Sequence, residues 1–127
     1  MADDAAPIIY VVDDDDMVRD SLKALLESRQ FRVVDFRSGP DFLGHVDGVQ
    51  SACLLLDIHM PEMTGIEVLR QLRTRGRALP TILITGRVDS TAKAEAEALG
   101  AVALLDKPVA HPELFSAIER ALGTASH

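Results

Sequence analysis

Five residues carry side chains whose types and placement suit one kind of chemistry: Asp13, Asp14, Asp57, Thr85 and Lys107. Each follows a short apolar run and is expected just past the C-terminal end of a β-strand. Asp13 and Asp14 follow Ile8 to Val12, Asp57 follows Ala52 to Leu56, Thr85 follows Thr81 to Ile84, and Lys107, behind Asp106, follows Ala101 to Leu105. Three carboxylates sharing a pocket would raise one another's pKa unless a cation joined them. Clustered hard oxygens suit Mg2+, which binds them at roughly 2.0–2.1 Å and keeps some of its waters. Lys107 adds a point positive charge and Thr85 a hydroxyl donor, the groups needed to hold a phosphoryl oxygen beside a nucleophilic carboxylate. The set points to phosphoryl transfer onto a carboxylate. Neither G-x-G-x-x-G nor G-x-x-x-x-G-K-[ST] occurs, so the phosphoryl donor must come from another molecule.

The elements that must position these groups follow from the apolar patterning. The four runs above, with Arg32 to Phe36, are strand length, and those at Ile8, Ala52 and Thr81 are nearly continuously apolar, as parallel strands covered on both faces require. Between them lie helical patterns. Val18, Leu22, Leu25 and Leu26 share one face, and a short helix is expected over Pro40 to Val46. Thr64-Gly65-Ile66-Glu67 reads as a capping box opening a helix through Ile66, Leu69 and Leu72 that Gly76 ends. Ala92, Ala96 and Leu99 form a thinner stripe stopped by Gly100, and Leu114, Phe115, Ile118 and Leu122 line a last helix between Pro112 and Gly123. This alternation predicts an α/β, flavodoxin-like, doubly wound (βα)5 domain with a five-stranded parallel sheet of order 2-1-3-4-5. With strand one between strands two and three, Asp13, Asp14 and Asp57 meet where the strand order reverses, the usual ligand crevice of such sheets.

Composition narrows the readings. A chain of 127 residues fits a single domain, with 1–6 and 124–127 expected as frayed ends because they carry few apolar side chains. Its 47% hydrophobic and 26% charged residues are those of a chain that folds unaided. The formal net charge of -7 argues against direct nucleic-acid binding, since phosphate backbones are gripped mainly by Lys and Arg. Cys53, the only cysteine, lies in an apolar run and reads as a buried strand thiol in a reducing cytoplasm. No apolar stretch approaches the roughly 20 residues that cross a bilayer, and the acidic, polar start is unlike a signal peptide, so no membrane contact and a cytoplasmic location are expected.

At Val11-Val12-Asp13-Asp14, at Leu54-Leu55-Leu56-Asp57-Ile58-His59-Met60-Pro61 with Gly65, at Ile84-Thr85-Gly86 and at Asp106-Lys107-Pro108, the sequence resembles the receiver family of two-component response regulators over essentially its whole length. Ser38-Gly39 before Phe42-Leu43, Ile84-Thr85-Gly86 and Ala117 to Leu122 resemble the nitrogen-fixation regulator branch, whose members often carry a helix-turn-helix output domain. No such segment is present, so the chain reads as a stand-alone receiver or as the receiver part of a longer regulator. The resemblance implies a switch that phosphorylates and dephosphorylates only itself. A histidine kinase or phosphotransfer protein would pass a phosphoryl group to Asp57. Mg2+ would be held by Asp14, Asp57 and the backbone carbonyl of His59, with Asp13 reaching it through water. Lys107 would bind the phosphoryl oxygen, Thr85 would swing inward to bond it, and Lys107-Pro108 resembles the family's cis peptide. A downstream protein or an output domain would read the switch, and a phosphorylation-linked homodimer belongs to the implied partners.

Two positions depart from the family. Leu104 stands where many receivers place a Tyr or Phe that rotates inward with the threonine, and Arg29-Gln30-Phe31 lies where a glycine commonly ends the first helix. Taken singly, the site residues have plainer readings. Asp13 to Asp16 suit a solvated acidic turn or a helix cap, as Asp15 or Asp16 is expected to provide, Asp57 a turn before Pro61, Thr85 a loop and Lys107 a surface. Their shared placement at one edge of the sheet outweighs those readings. His45, His111 and His127 show no mutual ligand spacing; the His59 imidazole is expected to modulate access to Asp57, and Arg87 and His59, flanking the pocket, to tune the rate of water attack on it. A phosphatase or phosphotransferase of the haloacid dehalogenase type would need an aspartate two positions after the nucleophile, where this chain has His59. A flavodoxin-like electron carrier would need a phosphate loop where this chain has four aspartates. A phosphorylation-independent binding module would not need Asp14, Asp57, Thr85 and Lys107 together.

Overall fold

The computed structural model describes residues 7–45 and 52–123. Five strands, β1 (Ile8–Val12), β2 (Arg32–Phe36), β3 (Ala52–Asp57), β4 (Thr81–Thr85) and β5 (Ala103–Asp106), alternate with five helices, α1 (Asp16–Glu27), α2 (Gly39–Leu43), α3 (Gly65–Thr74), α4 (Ser90–Ala98) and α5 (His111–Gly123). The strands form one parallel sheet in the order β2-β1-β3-β4-β5, as expected from the alternation. Register places Val12 beside both Phe36 and Leu56, and Asp57 beside Ile84. The C-terminal ends of β1, β3 and β4 therefore lie level with one another.

Alternation along the central strands divides the core into two layers, because successive side chains point to opposite faces. Tyr10, Val12, Leu54, Leu56 and Leu83 pack with Phe42, Leu69 and Leu72 beneath α2, α3 and α4. Ile9, Val11, Leu55, Ile82 and Ile84 pack with Leu26, Leu114 and Ile118 beneath α1 and α5. Cys53 is buried in the second layer, and burial pushes its thiol up to about 12, so it is an inert packing group.

Three helices end in the same way, and this explains where the observed ends differ from the expected ones. After α1, α3 and α4, a residue with positive φ turns the chain: Gln30 at 74°, Gly76 at 72° and Gly100 at 74°. The next amide then reaches back to the helix, with Phe31 N–H donating to Leu26 O, Arg77 N–H to Leu72 O and Ala101 N–H to Ala96 O. Because Ala101 is still tied to α4, β5 begins at Ala103 rather than at the start of the apolar run. Only at Gln30 does a residue with a Cβ occupy this left-handed position, the place where the sequence lacks the usual glycine. The short α2 begins at Gly39, with Ser38 as its cap, and ends at Leu43 rather than at Val46, which lies outside the described residues. The expected frayed ends also lie outside them. The Thr64–Glu67 capping box is present with both bonds, and Asp15 rather than Asp16 caps α1.

Candidate functional site

The β1–α1 connection is built by its aspartates. Asp13 N–H donates to Phe36 O at 3.2 Å, which carries the β2 pairing one residue beyond β1. Asp13 Oδ1 accepts from Asp15 N–H at 2.9 Å, and Asp15 Oδ1 in turn accepts from the amides of Met17 and Val18 at 2.9 and 3.2 Å. This chain of local bonds turns Asp13 inward, 2% exposed, and leaves Asp14 on the open side of the pocket.

Asp57 is the last residue of β3 and is 3% exposed. Its position depends on Gly65, the first residue of α3. Gly65 N–H donates to Ile58 O at 2.8 Å, and a Cβ on Gly65 would stand 2.3 Å from Asp57 O. Across the sheet, Lys107 N–H donates to Thr85 O at 2.8 Å, and the Lys107–Pro108 peptide is cis. The Lys107 ammonium lies 3.2 Å from Asp13 Oδ2 and 3.3 Å from Asp57 Oδ1.

Carboxylate oxygens of Asp13, Asp14 and Asp57 fall within 4.8 Å of one another. Three carboxylates and one lysine leave an excess of negative charge in a mostly buried cleft. Burial first, and then the charge of Asp13, pushes Asp57 up to about 6 in spite of the opposing pull of Lys107. Burial alone would lower the Lys107 ammonium, but Asp13 and Asp57 together hold its pKa above the usual lysine value. An all-oxygen donor set with uncompensated negative charge fits a hard divalent cation such as Mg2+.

The structure thus brings Asp13, Asp14, Asp57 and Lys107 together. Thr85 stands on the adjacent strand, fully buried, with its hydroxyl turned to the following loop: it donates to Arg87 O and accepts from Arg87 N–H, both at 3.1 Å. His59 and Arg87 are exposed. His45 instead meets the Phe36 ring and the Asp41 carbonyl.

Sequence reading passed over Arg19. It projects from α1, is only 9% exposed, and donates to three acceptors: Asp13 O at 2.8 Å, Asp35 Oδ2 at 3.0 Å and Asp16 Oδ1. The available signal was Asp35, a lone carboxylate in the otherwise apolar second half of the β2 run.

A family model for the response regulator receiver domain matches residues 9–119. Response regulator protein TodT of Pseudomonas putida is 40% identical over 122 residues, which cover 96% of this chain and 54% of TodT. Transcriptional regulatory protein FixJ of Bradyrhizobium diazoefficiens is 38% identical over 117 residues, 92% of this chain and 57% of FixJ. Among solved structures, FixJ-N is similar with a TM-score of 0.85 at 36% identity, covering 95% of this chain and 94% of that one. Response regulator StyR is similar with a TM-score of 0.88 at 39% identity, covering 94% of this chain and 61% of that one. The chain spans about half the length of the curated relatives it matches.

Proposed function

The chain belongs to the receiver domain family of two-component response regulators, and from that membership we propose that it is a Mg2+-dependent phosphoacceptor switch with Asp57 as the acceptor. The observation that carries this reading is the buried Asp57 carboxylate bonded to Lys107, with the carboxylates of Asp13 and Asp14 beside it. Asp14, Asp57 and the His59 carbonyl would hold the metal, with Asp13 acting through water. When bound, Mg2+ offsets the charge of the carboxylates and of the incoming phosphate.

An Asp57 oxygen attacks the phosphorus of a phosphohistidine in line, the P–N bond breaks, and the imidazole leaves with the electron pair and takes up a proton. Lys107, already held between Asp13 and Asp57, exchanges part of that contact for a phosphoryl oxygen. Thr85 gives up its bond to Arg87 O and donates to the phosphoryl group, which pulls on the loop leading to α4. Added charge of roughly −1.5 to −2 then biases the loops between two conformations. Water attack on the acyl phosphate resets Asp57 and releases inorganic phosphate, so the chain phosphorylates and dephosphorylates only itself.

The donor is a histidine kinase or phosphotransfer protein. A largely apolar groove of about 770 Å³ between α1 and α5 is lined by Met17, Leu22, Leu25, Pro108 and Val109 and reaches Lys107. Met17, 80% exposed at its rim, suits contact with an apolar helix of the donor. The phosphorylated state is read by a downstream protein or an output domain, with a phosphorylation-linked homodimer as one outcome. Among the described residues no helix is long and apolar enough to cross a membrane, and the reading places the switch in the cytoplasm with its donor.

The test is intact-protein mass after incubation with acetyl phosphate, with and without Mg2+, for wild type and Asp57→Asn. A single Mg2+-dependent phosphoryl adduct, lost in the variant, is expected. Absence of any adduct on the wild type would refute the reading, as would continuous release of phosphate from small esters.

A further inference from the structure

We infer that Arg19 is a positioning residue for the metal pocket: by bonding the main-chain carbonyl of Asp13, it fixes the peptide from which Asp14 departs and so sets the affinity for Mg2+. The inference rests on the phosphoacceptor reading and adds to it a residue that touches neither metal nor phosphate.

Every polar part of the Asp13 peptide unit and side chain is bonded. Its N–H donates to Phe36 O on β2, its side chain meets Asp15 N–H and the Lys107 ammonium, and its carbonyl oxygen accepts from Arg19 Nη1. That oxygen belongs to the peptide linking Asp13 to Asp14, so it shares a rigid plane with the Asp14 amide. Orienting this plane orients the start of Asp14, which stands exposed and whose side chain makes no hydrogen bond among the described residues. Arg19 can impose the orientation because it is fixed in turn. Its Nε donates to Asp35 Oδ2, its Nη2 pairs with Asp16, and Asp35 sits on β2 beside Val11. The β2 strand thus holds Asp13 twice, directly through Phe36 and indirectly through Asp35 and Arg19. A planar guanidinium can serve three acceptors in three directions at once, which a lysine ammonium on a flexible stem does less well.

The sign of the effect separates positioning from plain charge. A cation near a cation site opposes Mg2+, so removing the charge of Arg19 should tighten Mg2+ binding if electrostatics alone mattered. Loss of a partner that orients metal ligands instead weakens binding, typically by 10–100-fold. Arg19→Lys keeps the charge and loses the fork, so positioning predicts behaviour close to Arg19→Gln, and charge alone predicts behaviour close to wild type.

The experiment is calorimetric titration of the full chain with Mg2+ for wild type, Arg19→Gln, Arg19→Lys and Asp35→Asn. Alongside it, the initial rate of acetyl-phosphate labelling is followed against Mg2+ concentration. Expected are a dissociation constant raised roughly tenfold or more in both Arg19 variants and by a smaller factor in Asp35→Asn, and a half-saturating Mg2+ raised to match, with the labelling rate at saturation within about twofold of wild type. Should Arg19→Gln fail to fold, Arg19→Lys and Asp35→Asn decide the matter. Folded variants with unchanged or tighter Mg2+ binding would overturn the role of Arg19 and leave the phosphoacceptor reading standing. A wild type without saturable Mg2+ binding would overturn both.

Discussion

Neutralising Asp57 should stabilise the metal-free protein, and the size of the gain follows from the pocket. Asp57 is pushed from 3.8 to about 6, chiefly by burial and next by Asp13. The unfolded chain retains the ordinary value, so between pH 4 and 6 the unfolded state releases a proton that the native state keeps. The stability associated with the neutral acid is therefore fully present below about pH 4 and is lost as pH rises through 6. Two pKa units correspond to about 3 kcal/mol, and solvent at the mouth of the pocket screens this to about 1–2 kcal/mol. Asp57→Asn mimics the neutral acid. In EDTA at pH 7.5, urea unfolding followed by circular dichroism should show the variant more stable by about 1–2 kcal/mol, with the difference shrinking toward pH 4.5. Mg2+ at about tenfold its dissociation constant adds about 1.4 kcal/mol to the wild type alone, so the gap should close or reverse. A variant no more stable than wild type at pH 7.5 in EDTA, or a gap indifferent to pH and Mg2+, would refute the electrostatic account of the site.

Gln30→Gly should raise stability by about 1 kcal/mol in the same urea assay, because Gln30 holds φ of 74° at a helix end where Gly76 and Gly100 serve elsewhere; a loss would show that its side chain has a contact outweighing the strain. Gly65→Ala places a methyl group 2.3 Å from Asp57 O; a cost of about 1–3 kcal/mol is expected, together with slower labelling by acetyl phosphate, and normal labelling would mean that α3 can shift without moving Asp57. His59→Ala and Arg87→Ala should each change the half-life of the phosphorylated protein, measured by loss of the adduct mass, while leaving its formation intact; unchanged half-lives would remove both residues from the path of the attacking water.

The sheet and its order were legible because the strands are short, apolar and interrupted by helical periodicity, and burial on both faces leaves little freedom of register. Asp13, Asp57 and Lys107 were legible for a related reason: Asp13 and Asp57 directly follow such a run and Lys107 comes one residue later, and a parallel sheet brings those ends to one edge. Two features were not legible, the first because it depends on contacts between segments distant in sequence and the second because it depends on the path of the adjoining loop. Arg19 lies beside the apolar stripe of α1 and reads as a solvated charge until β2 brings Asp35 and the Asp13 carbonyl to it. Thr85 stands at the expected strand end, and the resemblance implies an inward swing only on phosphorylation; what the sequence does not give is the resting partner of its hydroxyl, Arg87. Rotamer choice at a strand end is decided by the loop beyond it, whose path apolar periodicity does not encode.

The route from the pocket to the rest of the surface must differ from one that relies on an aromatic at β5, because Leu104 is packed against the core layer under α4 and has no ring to rotate. What α4 offers instead is light apolar anchorage. Ala96 is its only buried residue, and its exposed run of Thr, Lys, Glu and Ala gives it little apolar side chain to bury. Polar ties from α3 hold it as well: Arg73 Nε donates to Leu99 O at 2.9 Å, and Arg70 pairs with Glu95 at 3.4 Å across an exposed gap. An exposed pair of that kind contributes about 0–1 kcal/mol, so the free energy holding α4 in place is small beside that of a core helix. A few charge-assisted hydrogen bonds at a phosphoryl group, at about 1.5–3 kcal/mol each, are commensurate with it. On the proposed phosphoacceptor reading, displacement of the Thr85 loop would move α4 directly, without an aromatic intermediary.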